Sequence, residues 1–284
     1  MSQLHLAVGE VAANRAAAST AIEQAALAGA ELVVLPELTQ SGYVFVDKAE
    51  ARNLAEPVVG PTVSEWCQAS ARHGVIVVGG FCELGSDGEL YNSAVLIEDG
   101  SVKALYRKAH LWGTENEIFR AGNEPPPVVS TAVGRVGIMV CYDLEFPEWT
   151  RMAGLAGADL LAAPVNWPLG DAPLRPSRTD RIETIKVQAA AAVNRMYVLV
   201  ADRCGSERGV DWVGGTVIVD PDGYLLTDAA ASGRVDLLTA EVDYASARDK
   251  RLGAHNDVFT DRRSELYELV AESAMSNEGR HRTL

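Results

Sequence analysis

Short, continuously apolar runs alternate with longer amphipathic or Ala-rich segments along most of the chain. Residues 32–35, 160–164 and 197–201 carry apolar side chains at consecutive positions, which is typical of strands buried on both faces. Residues 14–27 and 180–194 have the length and the alanine content of helices. The alternation of buried strands with helices predicts a layered α/β fold.

Turn signals divide the remaining segments into hairpins and single strands. Asp99-Gly100 separates residues 91–98 from residues 101–106, and such a dipeptide between two strand-like runs indicates a β-hairpin. Pro221-Asp222-Gly223 marks a second turn in the same way. It would join residues 213–220 to 223–227. Further strands are expected at residues 4–8, 75–81, 136–140 and 237–242, and further helices at residues 62–72 and from the segment after Cys141 to about residue 156.

Cys141 lies where the apolar run of residues 136–140 ends and a helix-like segment with acidic residues begins. A side chain at such a strand-to-helix elbow projects from a sharp turn toward the N–H groups of the helix N-terminus. The partial positive charge there favours the thiolate, which is the reactive form of cysteine. The local sequence therefore predicts an activated nucleophile.

Two other segments carry ionisable residues at the ends of predicted strands. Glu37 follows residues 32–35 directly, in Leu35-Pro36-Glu37, and α/β proteins tend to place catalytic groups at this edge of a sheet. Lys108 ends the second strand of the first hairpin and is flanked by Tyr106 and Trp112, which is unusual for a solvated lysine.

The three segments together resemble the nitrilase superfamily of carbon–nitrogen hydrolases. Leu-Pro-Glu, Tyr-Arg-Lys-x-His-Leu and Cys-Tyr-Asp-x-Glu-Phe-Pro-Glu occur in the order typical of that family, and the resemblance covers residues from about 3 to 245. It implies a Glu-Lys-Cys triad on Glu37, Lys108 and Cys141, and a second glutamate, for which Glu115 matches best and Glu117 is close. It also implies a four-layer α-β-β-α sandwich and a homodimer or higher homo-oligomer, joined through helices after the nucleophile and near the end.

The implied chemistry is amide hydrolysis. Cys141 would attack the carbonyl carbon, and Glu37 would take the thiol proton and pass it to the leaving nitrogen. Lys108 and the backbone N–H of Tyr142 would stabilise the oxyanion, and a thioester would then be hydrolysed. The scheme needs no cofactor and no metal ion.

Residues near the motifs bear on the substrate. Tyr142-Asp143 stands where true nitrilases usually have Trp-Glu, and Glu145 stands near positions where N-carbamoyl amino acid hydrolases place arginines. Glu145 would repel an anionic substrate if it faced the pocket, unless it only complements the helix N-terminus or supports Lys108. The arginines that would rescue anion binding are Arg175, Arg178 and Arg181, and the residues expected to line the acyl pocket are Asn166, Trp167, Tyr43 and Trp112.

These features favour an amidase for small neutral amides. An N-carbamoyl-amide hydrolase is the second interpretation, a nitrilase the third and a catalytically silent scaffold the fourth. Intact catalytic residues oppose the last, and labelling of Cys141 by iodoacetamide would test it.

Cysteine–histidine and metal chemistry are weaker interpretations. His110 is the only histidine inside a motif, and no histidine has an evident carboxylate to orient it. Cys67, Cys82 and Cys204 lack the paired spacing of metal ligands and are expected to be core or loop thiols.

The whole-chain properties are those of an ordinary globular protein. The 284 residues suit one catalytic domain, residues 1–260, with a polar C-terminal extension, residues 261–284, that is partly loose or reaches a partner subunit. A net charge of −14 argues against nucleic-acid and anionic membrane partners. Unpaired cysteines and the absence of a secretory signal or an apolar spanning run indicate a reducing cytoplasm.

Overall fold

Two β-sheets packed face to face form the centre of the protein in the computed structural model, which describes residues 1–169, 181–228, 230 and 233–267. The strands are β1 Ser2–His5, β2 Leu32–Val34, β3 Ile76–Leu84, β4 Leu90–Glu98, β5 Ser101–Arg107, β6 Val128–Thr131, β7 Gly134–Ile138, β8 Leu160–Pro164, β9 Tyr197–Ala201, β10 Arg203–Cys204, β11 Ser206–Glu207, β12 Val210–Asp211, β13 Val217–Val219 and β14 Asp236–Leu237. The helices are α1 Val11–Leu27, α2 Lys48–Leu54, α3 Pro61–His73, α4 Glu115–Ile118, α5 Pro147–Leu155, α6 Ile182–Asn194 and α7 Tyr244–Arg248.

The two central sheets have different strand orders. The first runs β2-β3-β4-β5, with β2 and β3 parallel and the other neighbours antiparallel. The second runs β13-β9-β8-β7-β6, with β7, β8 and β9 parallel between antiparallel edge strands. The parallel strands bring the loops after β2, β7 and β8 to the carboxyl edges of their sheets, where functional residues of α/β proteins commonly lie.

Helices cover the outer face of each sheet. Val78 of β3 packs with Ile138 of β7 between the sheets, whereas Val77 points to the opposite face and packs with Ile22 of α1 and Trp66 of α3. On the other side, α6 packs against β9 and β13. The predicted four-layer α-β-β-α sandwich is confirmed. Each large apolar side chain buried in these layers contributes about 1.5–3 kcal/mol relative to exposure.

Some predicted elements are shorter than expected. The first strand is β1 rather than residues 4–8, and the last is β14 rather than residues 237–242. The second hairpin reduces to β13, which pairs with β9, and one bridge between Val219 and Leu225. The backbone N–H of Gly215 instead donates to a carboxylate oxygen of Asp202, which takes Gly215 out of the strand ladder.

The segment after the cysteine also differs from the prediction. A five-residue 3-10 turn, Cys141–Glu145, precedes α5, which begins at Pro147. Proline fits the first helical position because its missing N–H would have no partner there, so the helix starts after the turn rather than at Cys141.

The chain divides into a first compact unit, Met1–Arg248, and a second that begins at Asp249. Within the described part of the second, Arg251 bridges to Asp257. The expected boundary after residue 260 stays a prediction. Among the described residues, the helices fall short of the length and apolar character that a membrane-spanning segment requires.

Gly80 of β3 lies directly beneath the loop that carries Glu37. A Cβ at Gly80 would be 2.6 Å from Glu37 Cα and 2.8 Å from Pro36 O, both backbone atoms that cannot rotate away. We expect Gly80→Ala to lower the free energy of unfolding by about 1–3 kcal/mol, measured by urea denaturation, because the loop must shift.

Gly137→Ala on β7 is the matched control. Its nearest neighbour is a side-chain atom of Leu161 at 3.3 Å, which can yield. Its cost should stay under about 1 kcal/mol, since the smaller chain entropy of unfolded alanine offsets the crowding. Equal losses in the two variants would show that the Glu37 loop is not tightly seated on β3.

Candidate active site

Four ionisable or nucleophilic side chains meet in the interior at the strand ends. Glu37 follows β2, Lys108 follows β5, Glu115 begins α4 and Cys141 follows β7. Their exposed fractions are 0, 1, 2 and 6 %, so solvent hardly reaches them. Ionisable groups are seldom buried this completely unless they pair with one another.

Lys108 is held between two carboxylates. Its Nζ donates to Glu37 Oε1 at 2.7 Å and to Glu115 Oε1 at 2.8 Å. Burial alone would lower the pKa of Lys108, but the charges of Glu115 and Glu37 raise it well above its usual value. The ammonium is therefore charged, and one of its three N–H groups is left for a further acceptor.

Glu37 keeps one oxygen without a partner. Its Oε1 also accepts from Asn92 Nδ2 at 2.6 Å, whereas Oε2 is buried and has no hydrogen-bond partner among the described residues. Its backbone carbonyl accepts from Asn166 Nδ2 at 2.9 Å, which fixes the loop. Burial raises the pKa of Glu37, and the charge of Lys108 opposes this shift. A partly desolvated carboxylate with a vacant acceptor oxygen can take a proton.

Cys141 adopts the strained backbone of a nucleophile elbow. Its φ of +48° lies in the left-handed region that residues other than glycine seldom adopt. Its Sγ is 3.9 Å from the carbonyl oxygen of Asn166, to which the thiol donates. Burial, followed by the charge of Glu37, raises the pKa of the thiol well above its usual value. A raised thiol pKa makes a base necessary, which is the role expected of Glu37 from the sequence.

The structure places Glu115, not Glu117, beside Lys108. Glu115 Oε1 also accepts from the Tyr43 hydroxyl at 2.5 Å, and Oε2 accepts from the backbone N–H of Trp112 at 3.1 Å. Glu117 is exposed. In this helix, residues two apart point to different sides, so only one of the two glutamates can face inward.

His110 does have a carboxylate neighbour, contrary to the sequence-based expectation. The buried Asp143 accepts from the backbone N–H of His110 at 3.0 Å, and its Oδ1 lies 2.7 Å from His110 Nδ1. Asp143 also accepts from Tyr106 and from the backbone of Val140. The thiol of Cys141 donates to the carbonyl of Asn166 and not to His110. The His110–Asp143 pair therefore has a structural role: it ties the segment that follows Lys108 to the turn that begins at Cys141. Within the described ranges, no three His, Cys, Asp or Glu side chains cluster as metal ligands would.

The expected pocket residues take different positions. Asn166 is buried beneath Glu37, and Trp167 is buried with its ring against Gly215. Tyr43 is half-buried, with its hydroxyl on Glu115. The half-exposed rings of Trp112 and Tyr142 pack edge to face with centroids 4.8 Å apart.

Two of the charged residues considered for substrate binding, Glu145 and Arg181, are engaged elsewhere. Glu145 pairs with Lys186 of α6 and so does not support Lys108. Arg181 donates to the carbonyl of Val213. Arg175 and Arg178 lie outside the described residues.

Sequence reasoning missed three buried polar residues around the site. Asn92 could have been noticed in the sequence, because it interrupts the apolar run of β4. In the structure it is fully buried. Asp202 accepts N–H groups from Trp167 and Gly215, and burial raises its pKa to about 7. Glu207 accepts from the backbone of Tyr43. The last two carry no motif of their own.

Comparison with known proteins agrees with this geometry. The sequence model of the carbon–nitrogen hydrolase family matches residues 1–252. The chain belongs to the carbon–nitrogen hydrolase family. This hydrolase is 36% identical over 256 residues to a nitrilase from Pyrococcus abyssi, covering 89% of this chain and 92% of the relative. It is 33% identical over 231 residues to an (R)-stereoselective amidase from a Pseudomonas species, covering 78% of this chain and 80% of the relative.

Solved structures point to the amidase-type members of the family. An amidase from a Nesterenkonia species superimposes on this hydrolase with a TM-score of 0.76 at 28% identity, over 94% of this chain and 93% of that one. A variant of that amidase, with a TM-score of 0.75 at 27% identity over 94% of each chain, carries the acetamide moiety of fluoroacetamide covalently on its active-site cysteine. The protein described here is an amidase-type hydrolase of carbon–nitrogen bonds.

Proposed function

We propose that the protein hydrolyses small neutral carboxamides to a carboxylic acid and ammonia through a thioester on Cys141. The observation that carries the proposal is the buried cluster in which Lys108 joins Glu37 to Glu115 beside the cysteine that follows β7. A charged lysine beside a nucleophile stabilises an oxyanion, and a vacant carboxylate oxygen serves as a base.

The first half-reaction would form the thioester. Glu37 Oε2 accepts the thiol proton as Cys141 Sγ bonds to the amide carbon, and the carbonyl oxygen becomes an oxyanion. The remaining N–H of Lys108 and the backbone N–H of Tyr142 donate to that oxyanion. Glu37 then returns the proton to the amide nitrogen, the carbon–nitrogen bond breaks, and ammonia leaves.

The second half-reaction would regenerate the enzyme. A water molecule gives a proton to Glu37 and attacks the thioester carbon, and the same donors hold the second oxyanion. The carbon–sulfur bond breaks, and the thiolate takes the proton back from Glu37. Burial raises the pKa of Glu37, which makes its carboxylate a stronger base toward the thiol and the water than it would be in solvent.

The charge of the cluster supports a neutral substrate. Two carboxylates surround a single ammonium, so an anionic acyl group would meet net negative charge in a site of low dielectric. The similarity to an (R)-stereoselective amidase favours an amide. The similarity to a nitrilase favours a nitrile as the second candidate, although Tyr142-Asp143 differs from the usual Trp-Glu pair of nitrilases.

Ammonia release from propionamide tests the proposal. The unmodified protein should turn propionamide over, and Cys141→Ala should lose at least about 1,000-fold in kcat, since covalent catalysis is removed. Cys82→Ala is the matched control, because that buried thiol lies in β3 and donates to Ala51. Turnover of nitriles or carbamoyl compounds without turnover of propionamide would refute the small-amide proposal.

The two candidate glutamates can be separated by paired variants. Glu115→Gln should lower kcat/KM for propionamide by about 100-fold or more, because Lys108 loses one of the carboxylates that hold it. Glu117→Gln should change kcat/KM less than about two-fold, since an exposed side chain is seldom coupled to a buried site. Comparable losses in the two variants would contradict the assignment of Glu115.

We also propose that the protein forms a homodimer through α5 and α6. Both helices expose large apolar side chains: Met152 and Leu155 are 41 and 44 % exposed, and Ile182, Ile185 and Val193 are 54, 48 and 51 % exposed. Exposed apolar side chains concentrated on adjacent helices are typical of protein–protein interfaces.

A charge placed on this surface should dissociate the oligomer. Ile185→Glu is expected to shift the mass measured by light scattering from that of a dimer to about half, because an unpaired buried carboxylate is costly at an interface. Leu27→Glu is the control, since Leu27 is 81 % exposed at the end of α1 on the opposite layer. An unchanged mass for Ile185→Glu would remove α6 from the interface.

A further inference from the structure

A second buried ion pair lies behind Tyr43, outside the catalytic cluster. Arg203 and Glu207 are 0 and 5 % exposed, and Arg203 Nη2 donates to Glu207 Oε1 at 2.8 Å while Nη1 donates to Oε2 at 3.2 Å. A buried ion pair is often no more stabilising than apolar residues of the same size. This one therefore calls for an explanation other than stability.

Glu207 fixes the backbone at Tyr43. Its Oε2 accepts the N–H of Tyr43 at 3.0 Å and the N–H of Val44 at 2.7 Å. The preceding Gly42 has a φ of +77°, and a Cβ there would lie 2.7 Å from Glu207 Oε1. The loop is thus seated directly on the carboxylate, with no room for a side chain between them.

Arg203 completes the support around the Tyr43 ring. Its guanidinium carbon lies 4.5 Å from the ring centroid of Trp212, and Trp212 packs edge to face on Tyr43 with centroids 5.4 Å apart. Arg203 also donates to the carbonyl of Leu6, which anchors it to the chain beside β1. Glu207 thus holds the backbone of Tyr43, and Trp212, which lies against Arg203, holds the Tyr43 ring.

The Tyr43 hydroxyl reaches the catalytic cluster from this support. It donates to Glu115 Oε1 at 2.5 Å, and the same oxygen accepts from Lys108. We propose that Glu207, held by Arg203, is a positioning residue that places the Tyr43 hydroxyl on Glu115 and thereby sets the charge felt by Cys141. The inference rests on the catalytic roles proposed above for Glu115 and Cys141.

The electrostatic consequence has a definite sign. Burial and the charge of Glu115 raise the pKa of Tyr43 well above its usual value, so the hydroxyl stays a donor. A donor on Glu115 draws negative charge away from Cys141, and the charge of Glu115 is among the causes that raise the pKa of that thiol. Displacing the hydroxyl should therefore raise the thiol pKa further and lower the thiolate fraction at a given pH.

Alkylation of Cys141 by iodoacetamide, followed by mass spectrometry of its peptide from about pH 7 to about pH 10, reads this out without any substrate. We expect Glu207→Gln and Tyr43→Phe each to slow alkylation at about pH 8 by about ten-fold, the size of a lost hydrogen bond to a charged group. Both should move the midpoint of the pH profile upward. The double variant should be no slower than Tyr43→Phe alone, because Glu207 acts through Tyr43.

Glu50→Gln is the matched control. The half-exposed Glu50 pairs with Arg208 through two bonds of 2.7 Å and accepts from Val46 N, so it joins the same two segments as Glu207 without touching Tyr43. Its alkylation profile should match that of the unmodified protein. Glu207→Asp guards against misfolding of Glu207→Gln, because it keeps a charge beside Arg203 while withdrawing the carboxylate from Tyr43, and it should shift the profile in the same direction.

Unchanged profiles in folded Glu207 variants, additive effects in the double variant, or an equal shift in Glu50→Gln would each overturn the inference. Failure of both Glu207 variants to fold, shown by circular dichroism, would also overturn it by establishing a purely structural role. A protein that shows the expected alkylation profiles but releases no ammonia from propionamide would refute the proposed substrate and leave the positioning role intact.

Discussion

A lysine ammonium buried between two carboxylates is the constraint on which the rest of the site depends. Withdrawing each ion from water costs several kcal/mol, and removing one partner of such a pair costs about 3–5 kcal/mol because a buried charge is left uncompensated. Lys108 is compensated by Glu37 and Glu115, and each carboxylate needs donors of its own. Asn92 supplies one to Glu37, and Tyr43 supplies one to Glu115. The polar shell around the site follows from this requirement.

The same burial determines the resting state of the nucleophile. Because burial, followed by the charge of Glu37, raises the pKa of Cys141, the thiol holds its proton despite its position at an elbow. A free thiolate would be the more reactive species, but it would add a third negative charge to a desolvated site. With Glu37 as the base, the Cys141 thiol loses its proton only when the substrate carbonyl is present to take up the negative charge. The positive φ of Cys141 therefore matters for the position of the side chain, whose Sγ faces the carbonyl of Asn166, and not for the ionisation of the thiol.

The order of strands and the triad segments could be predicted because they are local. Apolar runs such as β8 and β9 match the observed bounds, and the ends of β2 and β7 place Glu37 and Cys141 at sheet edges. Elements such as α2 and β6 were missed because they are too short to show a period. The sequence favoured Glu115 over Glu117 only through the family resemblance, because the choice depends on where the turn before α4 places the first helical residue. The raised pKa of the thiol could not be predicted from the local sequence, because it comes first from burial, which is a tertiary property.

Asp202 and Glu207, two of the three residues that sequence reasoning missed, share a physical feature: each acts on the site through backbone groups. Asp202 holds the N–H of Trp167, next to the Asn166 that supports Glu37, and Glu207 holds the N–H of Tyr43. Backbone groups are present at every position, so their partners leave no pattern of residue types in the sequence. Since both acceptors come from residues 202–207, one short segment holds the backbone beneath Glu37 and the loop whose Tyr43 hydroxyl contacts Glu115. Two supports of the loops around the site therefore lie in a part of the chain that contains none of the catalytic motifs.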